Sequence, residues 1–151
     1  MNIVRAKATD ADALTKIAWA SKQFWNYPER WMKKWREELT LTGVWIEANT
    51  VYIGFISNKP IGFYALSITQ NQCQLFHFWI TPAHIGQGLG RTLFRHAVEQ
   101  TKSLGYSEFW IESDPNAERF YLKMGAERKA VRKSMMDECE RDLPLLLCRS
   151  V

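Results

Sequence analysis

Three alternating glycines, Gly86, Gly88 and Gly90, run through Ile85-Gly86-Gln87-Gly88-Leu89-Gly90-Arg91, just after the apolar stretch Phe78-Trp79-Ile80 and the turn Thr81-Pro82. Leu89, Leu93, Phe94, Ala97, Val98 and Leu104 then recur at helical spacing, and Gly105 stands where a C′ glycine ends a helix. A strand, a glycine loop and a helix start, in that order, make an anion site. Backbone N–H groups point outward, the helix dipole favours negative charge, and missing Cβ atoms let a ligand approach. A phosphate or pyrophosphate suits such a junction. The plain alternative is an ordinary glycine-rich turn.

Two familiar phosphate motifs are excluded. A P-loop needs Gly-Lys-Ser/Thr at its end, and Leu89-Gly90-Arg91-Thr92 lacks it. A dinucleotide fingerprint, counted from Gly86, needs its last glycine where Arg91 stands, and no ribose-binding acid follows at the proper place.

A second constellation follows the short apolar run Phe109-Trp110-Ile111-Glu112. It reads Ser113-Asp114-Pro115-Asn116-Ala117-Glu118-Arg119-Phe120-Tyr121-Leu122-Lys123-Met124-Gly125-Ala126. Asp114 suits an N-cap, Pro115 the first helical position and Gly125 the stop. Ala117, Tyr121 and Met124 share one face of that helix, with Phe120 beside them. Together, the glycine junction and this Asn-Ala, Phe-Tyr, Gly-Ala series closely resemble the two ordered signatures of the GNAT superfamily of N-acetyltransferases. The resemblance covers roughly residues 1 to 148.

The resemblance implies an acetyl-CoA-dependent enzyme. Gly86, Gln87, Gly88, Leu89, Gly90 and Arg91 would hold the pyrophosphate, mainly through backbone N–H groups. Ile85 departs from the Arg or Gln usual at the loop's first position. Phe78, Trp79 and Ile80 would pair with the pantetheine arm as an added strand does. Asn116 and Phe120 would touch the cofactor, although Asn116 also suits simple first-turn capping. Tyr121, the family's general acid, would also touch it and protonate the departing thiolate. Its phenol pKa near 10 keeps the proton at neutral pH. The competing role for Tyr121 is core packing.

The amine nucleophile must also lose a proton. An amine of pKa about 10.4 is only about 0.04% neutral at pH 7, a handicap of about 4.6 kcal/mol. Many family members place a glutamate on the fourth strand, where this chain has Gln74. His77 has a suitable ordinary pKa but the opposite side-chain parity, so it stands as base candidate and structural histidine at once. Glu112, Asp114 and a water chain are the other candidates. Acceptor choice in the family comes from the first two helices and the loops beside the fourth strand. Here they carry Trp19, Phe24, Trp25, Tyr27, Trp31 and Trp35, with Trp45 beyond, either as packing or, at the Trp25-Tyr27-Pro28 corner, as the lining of a pocket for a cation or ring-bearing amine.

The elements that position these residues form one domain, 1–151. A first strand covers 3–7, and Thr9 or Asp10 caps a helix to Phe24. A second helix opens at Pro28 and ends near Leu39. Strands cover 51–56 and 61–68, joined by Ser57-Asn58-Lys59-Pro60, and the fourth covers 72–81. Late strands cover 126–136 and 145–149. The fold class is α/β, a mixed sheet of about seven strands flanked by about four helices, with the fourth and fifth strands splayed.

Composition agrees with such a domain. Apolar content of 46% and charged content of 24% are ordinary for a globular protein. No apolar run is long enough to span a membrane, and the first residues do not read as a signal peptide. Cys73, Cys139 and Cys148 lack metal spacing and read as reduced, cytoplasmic thiols, and no metal is expected. A net charge of +4 can attract a polyanionic cofactor but is too small and dispersed for nucleic acid. The expected partner is a small-molecule or peptide amine, with a homodimer through the late strands suggested by the resemblance. A non-catalytic acyl-CoA-binding regulatory module is the alternative; it would keep the loop and lose the tyrosine.

Overall fold

The computed structural model describes residues 1–150. Its strands are β1 (Asn2–Arg5), β2 (Thr50–Ile56), β3 (Lys59–Thr69), β4 (Gln72–Ile80), β5 (Glu108–Glu112), β6 (Glu127–Met136) and β7 (Cys139–Arg149). Its helices are α1 (Ala11–Gln23), α2 (Glu29–Lys34), α3 (Arg36–Leu39), α4 (Gly43–Ala48), α5 (Leu89–Ser103) and α6 (Glu118–Lys123). The seven strands form one mixed sheet in the order β1-β2-β3-β4-β5-β7-β6. Among the described residues β4 and β5 run parallel and pair at one position, Gln74 opposite Trp110. That single pair is the splay expected of strands four and five. No helix among the described residues is long and apolar enough to cross a membrane.

The chain divides into two compact units. The first takes in Met1–Leu66 and His77–Leu93, the second Ser67–Phe76 and the chain from Phe94 onward. In the first, α1 buries Leu14, Ile17, Ala18 and Ser21, one face of a 3.6-residue period. Val51 and Ile53 of β2, and Ile61, Phe63 and Tyr64 of β3, make the buried sheet surface. In the second, Phe94, Ala97 and Thr101 of α5 are buried with Phe109 and Ile111 of β5 and Leu146 of β7.

Several local expectations need correction. The second helix is not continuous to Leu39. It breaks at Trp35 into α2 and α3, and an additional helix, α4, follows with Thr42 Oγ1 accepting from Trp45 N at 3.1 Å. That raises the helix number from four to six. Asp10 makes no side-chain cap on α1; its carboxylate accepts from Lys7 N at 2.7 Å instead. The final strand begins at Cys139 rather than Leu145, because Asp137 and Glu138 adopt φ of 49° and 65° and close a tight hairpin. Pro144 lies inside that strand opposite Val131, and its carbonyl accepts from Ser113 N at 2.9 Å. Leu104 is exposed instead of completing the buried face of α5.

Candidate functional site

The glycine junction forms as its sequence dictates. After β4, Pro82–His84 makes one 3-10 turn, with Thr81 Oγ1 and His84 Nδ1 at 2.8 Å. Gly86 and Gly88 then take φ of 82° and 79°, a region that costs an L side chain roughly 1–2 kcal/mol. A Cβ built on either glycine would meet nothing within 4 Å. Backbone conformation, not crowding, therefore requires glycine, and the space beside the loop is open to a ligand. Leu89 and Gly90 already lie in the first turn of α5, where helix N–H groups lack intrahelical partners. Gln87 and Arg91 are exposed, and Gln87 Nε2 donates to Ala83 O at 3.3 Å. The residues present fit a phosphate group.

The end of β4 leads into this loop and is held from two sides. Ser21 Oγ, buried on α1, donates to Ile80 O at 2.9 Å, and Thr81 N donates to Ile61 O at 2.9 Å. Gly62 of β3 lies so close that an added Cβ would stand 2.6 Å from Trp79 O. Phe78, Trp79 and Ile80 are half-buried.

His77 is buried beside Trp45, Phe63 and Trp79, with ring centroids 5.6, 5.7 and 6.4 Å away. Trp79 Nε1 donates to His77 Nδ1 at 3.0 Å. Loss of solvation pulls the imidazole pKa down to about 4. The alternation Cys73, Leu75, His77 puts the ring on the buried face of the strand, as its parity required.

In the second unit the helix carrying Tyr121 starts later than expected. Pro115, Asn116 and Ala117 form a turn, and α6 begins at Glu118. Asp114 caps that turn rather than the helix: Oδ1 accepts from Asn116 N at 2.8 Å and from Asn116 Nδ2 at 3.1 Å. Gly125 ends α6 at φ 101°, and Ala126 N closes on Tyr121 O at 3.1 Å. Tyr121 is 7% exposed, its ring 6.0 Å from Phe94 and 5.4 Å from Phe120. Burial, and secondarily the Asp114 charge, push its phenol pKa well above the ordinary value. Glu112 and Asp114 each face an arginine, Arg132 at 2.5 Å and Arg141 at 3.9 Å.

The aromatic corner does not present empty rings. Lys22 Nζ lies 4.2 Å from the Trp35 centroid and 5.1 Å from that of Tyr27. Trp31 stacks on Tyr27 at 5.9 Å, and the Arg36 guanidinium covers Trp19 at 5.2 Å. Of the corner expected to line a pocket, Tyr27 thus has the chain's own Lys22 over its ring, while Trp25 packs edge-on against Phe24. Ser21, Gly62 and Arg141 escaped sequence reading. Ser21 carried a signal, its place on the helical spacing of Leu14, Ile17 and Ala18. Gly62, inside a strand, carried a fainter one. Arg141 carried none.

Residues 11–126 match the Acetyltransferase (GNAT) family. The ribosomal protein bS18-alanine N-acetyltransferase of Escherichia coli is 27% identical over 89 residues, 55% of this chain and 60% of that protein, so the match spans less than two thirds of the relative's length. The paia N-acetyltransferase of Thermoplasma acidophilum, solved in complex with coenzyme A, superposes with a TM-score of 0.76 at 19% identity, covering 98% of each chain. A GCN5-related N-acetyltransferase from Rhodopseudomonas palustris gives a TM-score of 0.78 at 16% identity, covering 98% of this chain and 94% of that one. At such identities these structures speak for the fold, while the family match spans residues 11–126. With the glycine junction and the Tyr121 helix both inside the matched residues, the chain belongs to the acetyltransferase (GNAT) family.

Proposed function

We propose that this protein is an acetyl-CoA-dependent N-acetyltransferase that transfers an acetyl group to a primary amine by direct attack. The observation that carries the reading is the junction itself. Gly86 and Gly88 at positive φ open the N-terminus of a 15-residue helix just after a half-buried strand end. The loop from Gly86 to Arg91 binds pyrophosphate, and the Phe78–Ile80 backbone supports the pantetheine arm. Asn116 and Phe120 contribute further contacts. Acetyl-CoA would supply the thioester carbonyl; as the amine nitrogen bonds to that carbon and the C–S bond breaks, Tyr121 gives its phenolic proton to the departing sulfur and regains one from water.

The acceptor's proton goes to water. A neutral imidazole has one lone pair, and that of His77 is engaged by Trp79 Nε1. Glu112 and Asp114 face arginines. An acceptor that needs little deprotonation fits such a site. A peptide α-amine, with pKa about 7.8, pays about 1 kcal/mol at pH 7, against about 4.6 for a lysine side chain. The E. coli relative, named for an alanine of a ribosomal protein, supports the same choice. We therefore favour a peptide N-terminal amine over a polyamine or lysine.

The test follows free CoA release from acetyl-CoA with a panel of peptides bearing free N-terminal alanine, serine or methionine, spermidine and a lysine amide. Release with an α-amine peptide, and acetylated product by mass, supports the reading. Acetyl-CoA binding without release for any amine points to the non-catalytic binding module.

A further inference from the structure

The hairpin of β6 and β7 clasps the segment that leads to Tyr121. Arg128 Nε and Nη2 meet Glu118 at 2.7 and 2.6 Å, Arg132 Nη2 meets Glu112 Oε1 at 2.5 Å, and Arg141 Nη2 lies 3.9 Å from Asp114 Oδ2. The first two pairs are solvent-screened, with the arginine side chains half exposed, and hold the segment weakly. The third is different, for the Arg141 and Asp114 side chains are 10% and 9% exposed. Ion pairs so buried cost solvation, and losing one partner removes part of the compensation of the other.

Asp114 is the hub of the turn that starts α6. Beyond its bonds to Asn116, its carbonyl accepts from Ser113 Oγ at 2.7 Å and from Ala117 N at 2.9 Å. Ala117 O then accepts from Phe120 N at 3.0 Å and Tyr121 N at 3.3 Å. On the β7 side, Pro144 O takes Ser113 N at 2.9 Å. A helix of six residues cannot hold itself in water, so its start is set by this turn.

We propose that Arg141 is a positioning residue for Tyr121, acting through Asp114 and the 114–117 turn to hold the phenol where it protonates the leaving thiolate. The proposal rests on Tyr121 as general acid. Arg141 also offsets the Asp114 charge, which otherwise opposes any negative charge developing on the phenol.

A double-mutant cycle tests it, with acetyl-CoA and the fastest amine of the panel above. Arg141→Gln is expected to lower kcat by about tenfold or more while KM for acetyl-CoA stays nearly unchanged, and Arg141→Lys to recover part of the loss. In the Tyr121→Phe background Arg141→Gln should have no further effect, because the group it positions is gone. Amide exchange over 116–121 should quicken in Arg141→Gln. Multiplicative losses, unaltered turnover in Arg141→Gln, or unaltered exchange each overturn the proposal while leaving the general acid standing. Wild-type turnover in Tyr121→Phe alone removes the general acid, and the proposal with it. If Arg141→Gln does not fold, Arg141→Lys carries the same comparisons.

Discussion

The indole N–H of Trp79 donates to Nδ1 of His77 at 3.0 Å, which fixes the neutral tautomer of the buried histidine. With Nδ1 as acceptor, Nε2 carries the proton, and the ring has no second lone pair to offer a substrate. His77 thus orients the Trp79 side chain at the end of β4. Its chemistry is that of a fixed acceptor.

This burial makes His77 a pH-dependent component of stability. The folded pKa of about 4 lies below the ordinary 6.5, so the unfolded chain binds more protons between those values. Stability from this residue is complete above pH 6.5 and is lost as pH falls toward 4, by about 3 kcal/mol. Denaturant unfolding of wild type and His77→Gln across that window should show a difference that shrinks with acid. The same variant should leave the pH profile of kcat/KM in place, whereas loss of a step near pH 6 to 7 would restore His77 as base.

Gly88 separates binding from folding. Its φ of 79° penalises any side chain, yet a Cβ meets nothing within 4 Å. Gly88→Val should therefore keep the cooperative melt, with Tm lowered by a few degrees at most, and weaken acetyl-CoA by about a hundredfold in calorimetry, equivalent to about 2.7 kcal/mol. Unchanged affinity would remove the loop from the cofactor site.

Gly62 stands behind the strand proposed to carry the cofactor. A Cβ there would stand 2.6 Å from Trp79 O and 2.8 Å from Ile80 Cδ1, so β4 must shift along Phe78–Ile80, the stretch proposed to support the pantetheine arm. Gly62→Ala should cost about 1–3 kcal/mol of stability and raise KM for acetyl-CoA severalfold. A stable variant with normal KM would mean that the strand yields without consequence.

The aromatic corner yields a contrasting expectation. Lys22→Met keeps the stem and removes the ammonium above Trp35 and Tyr27. It should lower stability by about 1 kcal/mol and leave the amine KM alone. A large change in amine KM would return those rings to the acceptor site.

The legible parts of this chain were the ones fixed by local stereochemistry. Gly86, Gly105 and Gly125 announce positive φ, and the Ser57-Asn58 turn announces a hairpin. The Asp137-Glu138 turn was missed because neither residue is a usual left-handed former. Pro144 then concealed the strand around it, although its C=O, not a missing N–H, is what the fold uses. The break at Trp35 lies in an uninterrupted helical pattern, where tertiary packing overrides propensity. Side-chain roles were least legible where partners are distant in sequence. The family resemblance singles out Tyr121 as a candidate, but nothing near position 141 suggests its carboxylate at 114.

The most direct measurement is single-turnover and steady-state acetyl transfer by Tyr121→Phe, with acetyl-CoA affinity measured by calorimetry on the same preparation. Proton donation by Tyr121 predicts a fall in kcat of about a hundredfold or more, with affinity within about twofold of wild type. Wild-type kcat in a folded Tyr121→Phe protein would contradict it, and would leave Tyr121 as a packing residue against Phe94 and Phe120.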